Sequence, residues 1–201
     1  MSIDLPLRCT CGRLRGVVRD VSPRTVNRVV CCCQGCQGYA HRLGRAAEIL
    51  DEHGGTHVFQ ASPGRFAITE GEEYLACLQQ TEKGALRWFA SCCDSPIANT
   101  LPSMQMPFLA IVETVVDRSQ LDASIDDLLG PVLVRVNGRF PRALARRLRA
   151  TRWALVKMLA RYGPMLLMWR LRGAHKASPL FDPSTGRPVR EPRRTEPMTA
   201  N

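Results

Sequence analysis

A mainly β domain followed by a basic amphipathic helix is the fold class this sequence predicts, and three observations predict it. Between residues 57 and 116, short apolar or alternating segments are separated by turn signals, the rhythm of an antiparallel β domain rather than of βαβ units. Eight of the nine cysteines fall into three tight groups that punctuate this body. The charge is also unevenly divided: residues 1–140 hold 14 basic and 15 acidic side chains, whereas residues 141–201 hold 14 basic and 3 acidic ones. The net charge of +10 therefore belongs to the C-terminal third. The 201 residues divide into a zinc-binding β domain over 1–140, a basic helical appendage over 141–173 and a disordered tail over 174–201.

Taken in order, residues 7–18 alternate as a strand does and open with Cys9-Thr10-Cys11-Gly12. Residues 24–30 form a second strand, ending on Val29 and Val30, and deliver the chain into Cys31-Cys32-Cys33-Gln34-Gly35-Cys36. A short helix is expected within 43–53, stopped by Gly54-Gly55. Strands follow at 58–61, 65–69, 74–79, 85–90 and 107–116. They are punctuated by Ser62-Pro63-Gly64, Gly71 and Glu82-Lys83-Gly84. A helical turn within 121–129 and a last strand at 132–136 complete the body.

Four thiols in six residues suit disulfide geometry poorly and a soft divalent metal well. A turn carrying Cys31, Cys33 and Cys36 points three sulfurs at one centre, with Gly35 relieving the sharp backbone. The bland alternative is a buried cluster, since free cysteine packs like a small hydrophobe. The turn Phe89-Ala90-Ser91-Cys92-Cys93-Asp94-Ser95-Pro96 adds two more thiols. Cys9, Cys11, Cys92 and Cys93 are then four sulfurs, the number that closes a tetrahedral structural site. Cys31, Cys33 and Cys36 are three, the number that leaves a coordination position open, so two zinc ions are expected. Cys32 and Cys77 are left over, and Cys77, inside a strand, reads as core.

These three thiol units, in this order over residues 5–118, resemble those of the glutathione-dependent formaldehyde-activating enzymes. The resemblance implies that family's Mss4-like fold, an antiparallel β architecture holding zinc. It implies structural ligands at Cys9, Cys11 and Cys93, and active-centre ligands at Cys31, Cys33 and Cys36. Three departures stand out. Cys32 replaces the histidine usual in that family, Ala90 replaces the first cysteine of the aromatic-plus-cysteine turn, and Asp94 replaces the glycine after Cys93. Cys92 is the nearby replacement for the missing ligand, and Asp94 is expected in a left-handed conformation or a changed turn. The implied function is that of a carbon–sulfur lyase acting on thiol adducts, with glutathione as the thiol. The alternative is a non-catalytic zinc-binding module that uses its basic helix for membrane-surface or partner binding. Cys32 decides between them: as a fourth ligand it would close the second site. Arg42 and Arg45 lie just after this turn, where a carboxylate could be held, although exposed arginines usually hold only water.

Residues 141–172 contain no acid. Leu144, Leu148, Leu155, Leu159, Tyr162, Leu166 and Trp169 recur at helical spacings, and arginines populate much of the rest. Gly163-Pro164 is expected to break this helix, leaving an apolar piece over 165–171. A helix packed on the β domain, an anionic membrane surface met through 141–172 with Trp153 and Trp169, and nucleic acid are the competing readings. Asp4 and Pro6 are foreign to a secretory signal, so a reducing, cytoplasmic setting is expected, with peripheral membrane contact through the basic helix.

Overall fold

A computed structural model of the protein describes residues 2–194. Among the described residues, eleven strands and five α-helices are formed. The strands are β1 (Ile3–Arg8), β2 (Arg15–Val21), β3 (Asn27–Cys31), β4 (Thr56–Ala61), β5 (Phe66–Glu70), β6 (Leu75–Gln79), β7 (Leu86–Ala90), β8 (Ser95–Thr100), β9 (Leu109–Val112), β10 (Val134–Val136) and β11 (Arg193–Arg194). The helices are α1 (Gln34–Arg42), α2 (Ala46–Ile49), α3 (Ile125–Leu129), α4 (Arg142–Arg147) and α5 (Arg152–Leu171). The protein is thus mainly β, in two sheets. A three-stranded sheet has the order β1-β2-β5, and an eight-stranded sheet has the order β10-β3-β4-β9-β8-β7-β6-β11. Pairing is antiparallel except at the two ends of the large sheet, where β10 joins β3 and β11 joins β6 in parallel.

Strand periodicity makes the large sheet two-sided. Phe59 and Ala61 of β4, Leu86, Trp88 and Ala90 of β7, and Leu109 and Ile111 of β9 face the small sheet, where they meet Leu5, Leu7, Val18 and Phe66. The alternate residues face the helices. Val58, Ala110 and Val112 lie under α5, whose Met158, Tyr162 and Trp169 are buried on them. Ala76, Leu78 and Phe89 lie under α1, covered by Tyr39, Ala40 and Leu43. Both helices therefore sit on the same outer face of the large sheet.

Three expectations are corrected. Strand β8 was not expected: its sequence, Ser-Pro-Ile-Ala-Asn-Thr, is polar by composition, yet all six residues are buried between β7 and β9. Gly163-Pro164 does not break α5, which runs unbroken for 20 residues. The break falls instead between α4 and α5, and Pro164 is exposed on the outer side, where the clash and lost hydrogen bond are most easily tolerated. Residues 174–194 are not a disordered tail. Leu180 and Phe181 are buried in the main core, Phe181 edge-on to Trp88 at 6.3 Å, and β11 pairs with β6. Residues 195–201 of the expected tail lie outside the described residues.

Candidate metal centres

The first centre forms where two hairpin ends meet. The β1–β2 turn is held by the Cys9 N–H donating to the Leu14 carbonyl at 3.0 Å and the Gly12 N–H donating to the Cys9 carbonyl at 2.9 Å, with Gly12 left-handed at φ +80°. The β7–β8 turn carries Cys92 and Cys93, and Asp94 takes a left-handed φ of 52°, as expected for a residue standing in a glycine position. Cys9, Cys11, Cys92 and Cys93 converge with all four sulfurs within 4.8 Å of one another. The Sγ separations are 3.6 Å for Cys9–Cys11, 3.3 Å for Cys11–Cys92, and 3.8 Å for both Cys9–Cys92 and Cys92–Cys93. A tetrahedral ion with metal–sulfur bonds of about 2.3 Å requires sulfur–sulfur edges of about 3.8 Å. The donor set fits a metal ion of that kind. Ala90 is fully buried core and offers no ligand, while Cys92 is at the cluster.

Polar partners surround this centre. The Leu14 N–H donates to Cys9 Sγ at 3.3 Å, and the Thr10 N–H donates to Ser95 Oγ at 2.9 Å, joining the two turns. Arg45 adds a clamp by donating to the Cys93 carbonyl at 3.2 Å and to Thr10 Oγ1 at 2.7 Å. A substrate-binding role for Arg45 is therefore replaced by a structural one. Burial raises the Cys93 thiol, but hydrogen bonding from Ser95 and the Cys11 backbone outweighs it and brings Cys93 to about 6. Burial pushes Cys92 and Cys9 upward.

The second centre lies where β3 runs into α1. Cys31, Cys33 and Cys36 bring three sulfurs within 4.8 Å of one another. Cys33 is the N-cap of α1, extended at φ −72° and ψ 152°, and its sulfur accepts from the Cys36 N–H at 3.3 Å. Helix α1 contains Gly35 and Gly38, poor helix formers. Its place is fixed by tertiary burial and by the Tyr39 hydroxyl donating to the Trp88 carbonyl at 2.9 Å. Gly35 does not relieve a strained backbone, since it is helical. It matters because a Cβ there would stand 3.1 Å from a guanidinium nitrogen of Arg87.

Arg87 reaches under α1 from β7, 8% exposed, and donates to Cys36 Sγ at 3.4 Å, with its guanidinium carbon 5.8 Å from the Tyr39 ring centre. No acid pairs with it among the described residues, so the sulfurs are its counter-charge. Hydrogen bonds from the Cys31 and Cys36 thiols hold Cys33 far below the usual thiol range. The same contacts raise Cys31 and Cys36. A bound cation would displace the protons that the raised thiols carry.

Cys32 stands apart. Its sulfur is outside the three-sulfur group and accepts from Arg135 at 3.5 Å. Adjacent side chains on extended backbone point opposite ways, which turns Cys32 away from Cys31 and Cys33. Arg135 is held by Asp51 in two hydrogen bonds of 2.7 and 3.2 Å, and Asp51 also meets His57 Nε2 at 3.0 Å. Cys77 lies in the main core, where burial pushes its thiol up to about 12, and belongs to neither cluster.

A cleft of ≈ 780 Å³ opens beside the second centre, lined by Cys32, Cys33, Gln37, His53, Asn137 and Phe140 among others. Asn137 donates to Cys31 Sγ at 3.6 Å, and His53 lies edge-on to Phe140 at 6.1 Å. Sequence reasoning missed His53, Arg87, Asn137 and Phe140. They come from three segments far apart in sequence, Asn137 and Phe140 sharing one, and the only local signal was Asn137-Gly138, where Asn137 is left-handed.

No curated protein matches this chain. Among solved structures it is similar to a Rhodobacter sphaeroides protein, a structural-genomics target, with 18% identity, 64% of this chain and 97% of that chain covered, and a TM-score of 0.42. Residues 1–192 match a family of unknown function, and the chain belongs to that family, DUF6151.

Proposed function

We propose that the protein binds two zinc ions and acts as a carbon–sulfur lyase on thiol adducts, with a structural ion at the four-sulfur centre and a reactive one at the three-sulfur centre. The observation that carries this reading is the exclusion of Cys32: three sulfurs converge, while the fourth nearby thiol is held by Arg135. Three protein ligands leave a coordination place for a ligand from outside the set, the arrangement of zinc sites that do chemistry. The motif resemblance to glutathione-dependent formaldehyde-activating enzymes, with their Mss4-like fold, supports the same reading.

When bound, zinc supplies a Lewis acid that polarises an oxygen or sulfur of the adduct. The rest falls to the chain. Arg87 offsets the negative charge that three thiolates would otherwise accumulate. Asn137 orients Cys31, and the Cys36 N–H orients Cys33. The cleft admits the adduct, Phe140 shields one side of it from water, and His53 is the one imidazole among the cleft residues. In the breakdown of a hemithioacetal, the hydroxyl proton leaves as the C=O bond forms, and the C–S electron pair departs with sulfur. The products are an aldehyde and a thiol, with no change of oxidation state. His53 accepts the hydroxyl proton and returns it to the departing sulfur. In the resembling family a histidine, a proton acceptor or ligand orienter, stands where this chain has Cys32.

Exchange spectroscopy by NMR on formaldehyde and glutathione with the metal-loaded protein tests this. The expected result is accelerated interconversion that is abolished in Cys33→Ser and reduced about 10²-fold in His53→Asn. No acceleration by fully loaded protein, with glutathione or with small thiols, would make the chain a non-catalytic zinc module.

A further inference from the structure

Helix α5 is apolar on two opposite faces, which the sequence pattern alone did not show. One face is buried on the large sheet through Met158, Tyr162 and Trp169. At 3.6 residues per turn, Trp153, Val156, Ala160, Pro164, Leu167 and Leu171 recur at steps of three and four along the opposite face. All six are exposed, with Trp153 at 74%, Val156 at 53%, Leu167 at 60% and Leu171 at 79%. The stripe runs the length of a helix about 30 Å long. Trp169, the other tryptophan expected at an interface, is instead core at 6% exposure.

The surroundings of the stripe are cationic. Arg146, Arg147, Arg152, Lys157, Arg172 and Lys176 are exposed around it, and no acid occurs from 141 to 181. Among the described residues, no ion pair engages a basic side chain of 143–176. Some arginines of this region are spent internally: Arg161 donates to Asn27 Oδ1 at 2.7 Å and Arg170 to Gln105 Oε1 at 2.7 Å, which anchor α5 to the body. No helix of the described residues is long and apolar enough to cross a membrane.

We infer that this outer face of α5 docks flat on an anionic phospholipid surface, the apolar stripe entering the headgroup–acyl boundary and the basic rim meeting lipid phosphates and carboxylates. Charge complementarity selects this occupant. A second copy would oppose two basic rims with no acid to compensate them, which disfavours association. A phosphate backbone would meet the rim but leave the apolar centre against water. A bilayer satisfies both, because apolar burial and attraction to anionic headgroups add. The anchoring of Arg161 and Arg170 fixes the helix so that the face is presented without rearrangement.

The experiment uses full-length, metal-loaded protein and sedimentation with vesicles of phosphatidylcholine alone or with one-third phosphatidylserine. The expected result is at least about tenfold stronger partition to the anionic vesicles at low salt, weakening as salt rises. A blue shift of tryptophan emission should accompany it and vanish in Trp153→Phe, since Trp88 and Trp169 are already buried. Leu167→Gln with Leu171→Gln should cut partition about tenfold or more while metal content and circular dichroism stay unchanged. Equal binding to neutral and anionic vesicles, no binding to either, or a concentration-dependent dimer abolished by the same two substitutions would each overturn the inference.

Discussion

The four-sulfur and three-sulfur centres use one kind of side chain and differ in what carries it. Cys9, Cys11, Cys92 and Cys93 come from two hairpin turns 81 or more residues apart for every cross pair, and the turns are otherwise joined by Thr10–Ser95, the Cys11 backbone at Cys93 and the Arg45 clamp. Cys31, Cys33 and Cys36 come from six consecutive residues already positioned by β3 and α1. A metal at the first centre cross-links distant chain and contributes to folding directly. A metal at the second closes no large loop, and its site persists through the packing of Tyr39, Ala40 and Leu43. The electrostatic settings differ too. A buried, acid-free cation, Arg87, lies against the three-sulfur centre, whereas hydroxyls and backbone N–H groups surround the four-sulfur one. A closed four-sulfur cage held by dipoles suits structure, and a charge-balanced site beside a cleft suits ligand exchange.

The largest expected effect separates the two centres by stability. Cys92→Ser should remove one of two metals and cost about 5 kcal/mol or more, whereas Cys36→Ser should also remove one metal yet leave most of the thermal stability. Elemental analysis with thermal unfolding checks both, and equal losses of stability would erase the distinction drawn above. Next in size, Arg87→Met should weaken metal binding at the three-sulfur centre by about 10- to 100-fold while leaving the four-sulfur centre alone. Chelator competition should then release the two ions in separate phases rather than together.

A third prediction concerns the support of Cys32. Burial alone would raise the Asp51 carboxyl, but Arg135 and the Gly55 and His53 N–H groups outweigh it and hold it well below the usual carboxylate range. A depressed carboxyl binds fewer protons in the folded chain than in the unfolded one. Its stabilisation is therefore complete above the ordinary value of 3.8 and lost as pH falls below it toward the folded value. The difference in melting temperature between wild type and Asp51→Asn should be largest near pH 6 and should shrink as pH falls through about 4. A difference that is constant with pH would mean that Asp51 acts by shape alone. The smallest effect is expected for Cys32→Ser. With Cys32 outside the sulfur group, the metal count should remain two and the cobalt-substituted spectrum should keep its sulfur-to-cobalt bands, with stability changed by about 1 kcal/mol. Loss of a band would place Cys32 in the coordination shell.

Much of this was legible in local sequence because the determining interactions are local. The β segments from 58–61 to 107–116 announced themselves by alternation and turn residues, and the left-handed Asp94 followed from its place after Cys93. Clustering alone brought the thiols into three local units, since cysteines one, two or three residues apart in tight turns have few other geometries available, and the count of four sulfurs that closes a tetrahedral site joined the Cys9–Cys11 unit to the Cys92–Cys93 unit. The choice to leave Cys32 out followed from extended backbone, which sends adjacent side chains to opposite sides.

What only the tertiary structure decided has a common cause: partners distant in sequence supplied the energy. Strand β8 looks polar, yet β7 and β9 satisfy its backbone on both sides, so its composition did not have to signal a strand. Residues 174–194 carry five prolines' worth of disorder signal with the tail beyond them, but two side chains, Leu180 and Phe181, find a core slot against Trp88 that no local pattern reveals. Arg45 and Arg87 are both arginines near cysteines in the sequence or the fold, and only the packing of α1 on the large sheet made one a clamp and the other a counter-charge. The period of α5 identified a helix with apolar positions, but which apolar stripe faced the sheet was set by the side chains already waiting at Val58, Ala110 and Val112. Periodicity records that a face exists, and burial of that face requires a surface built from elsewhere in the chain.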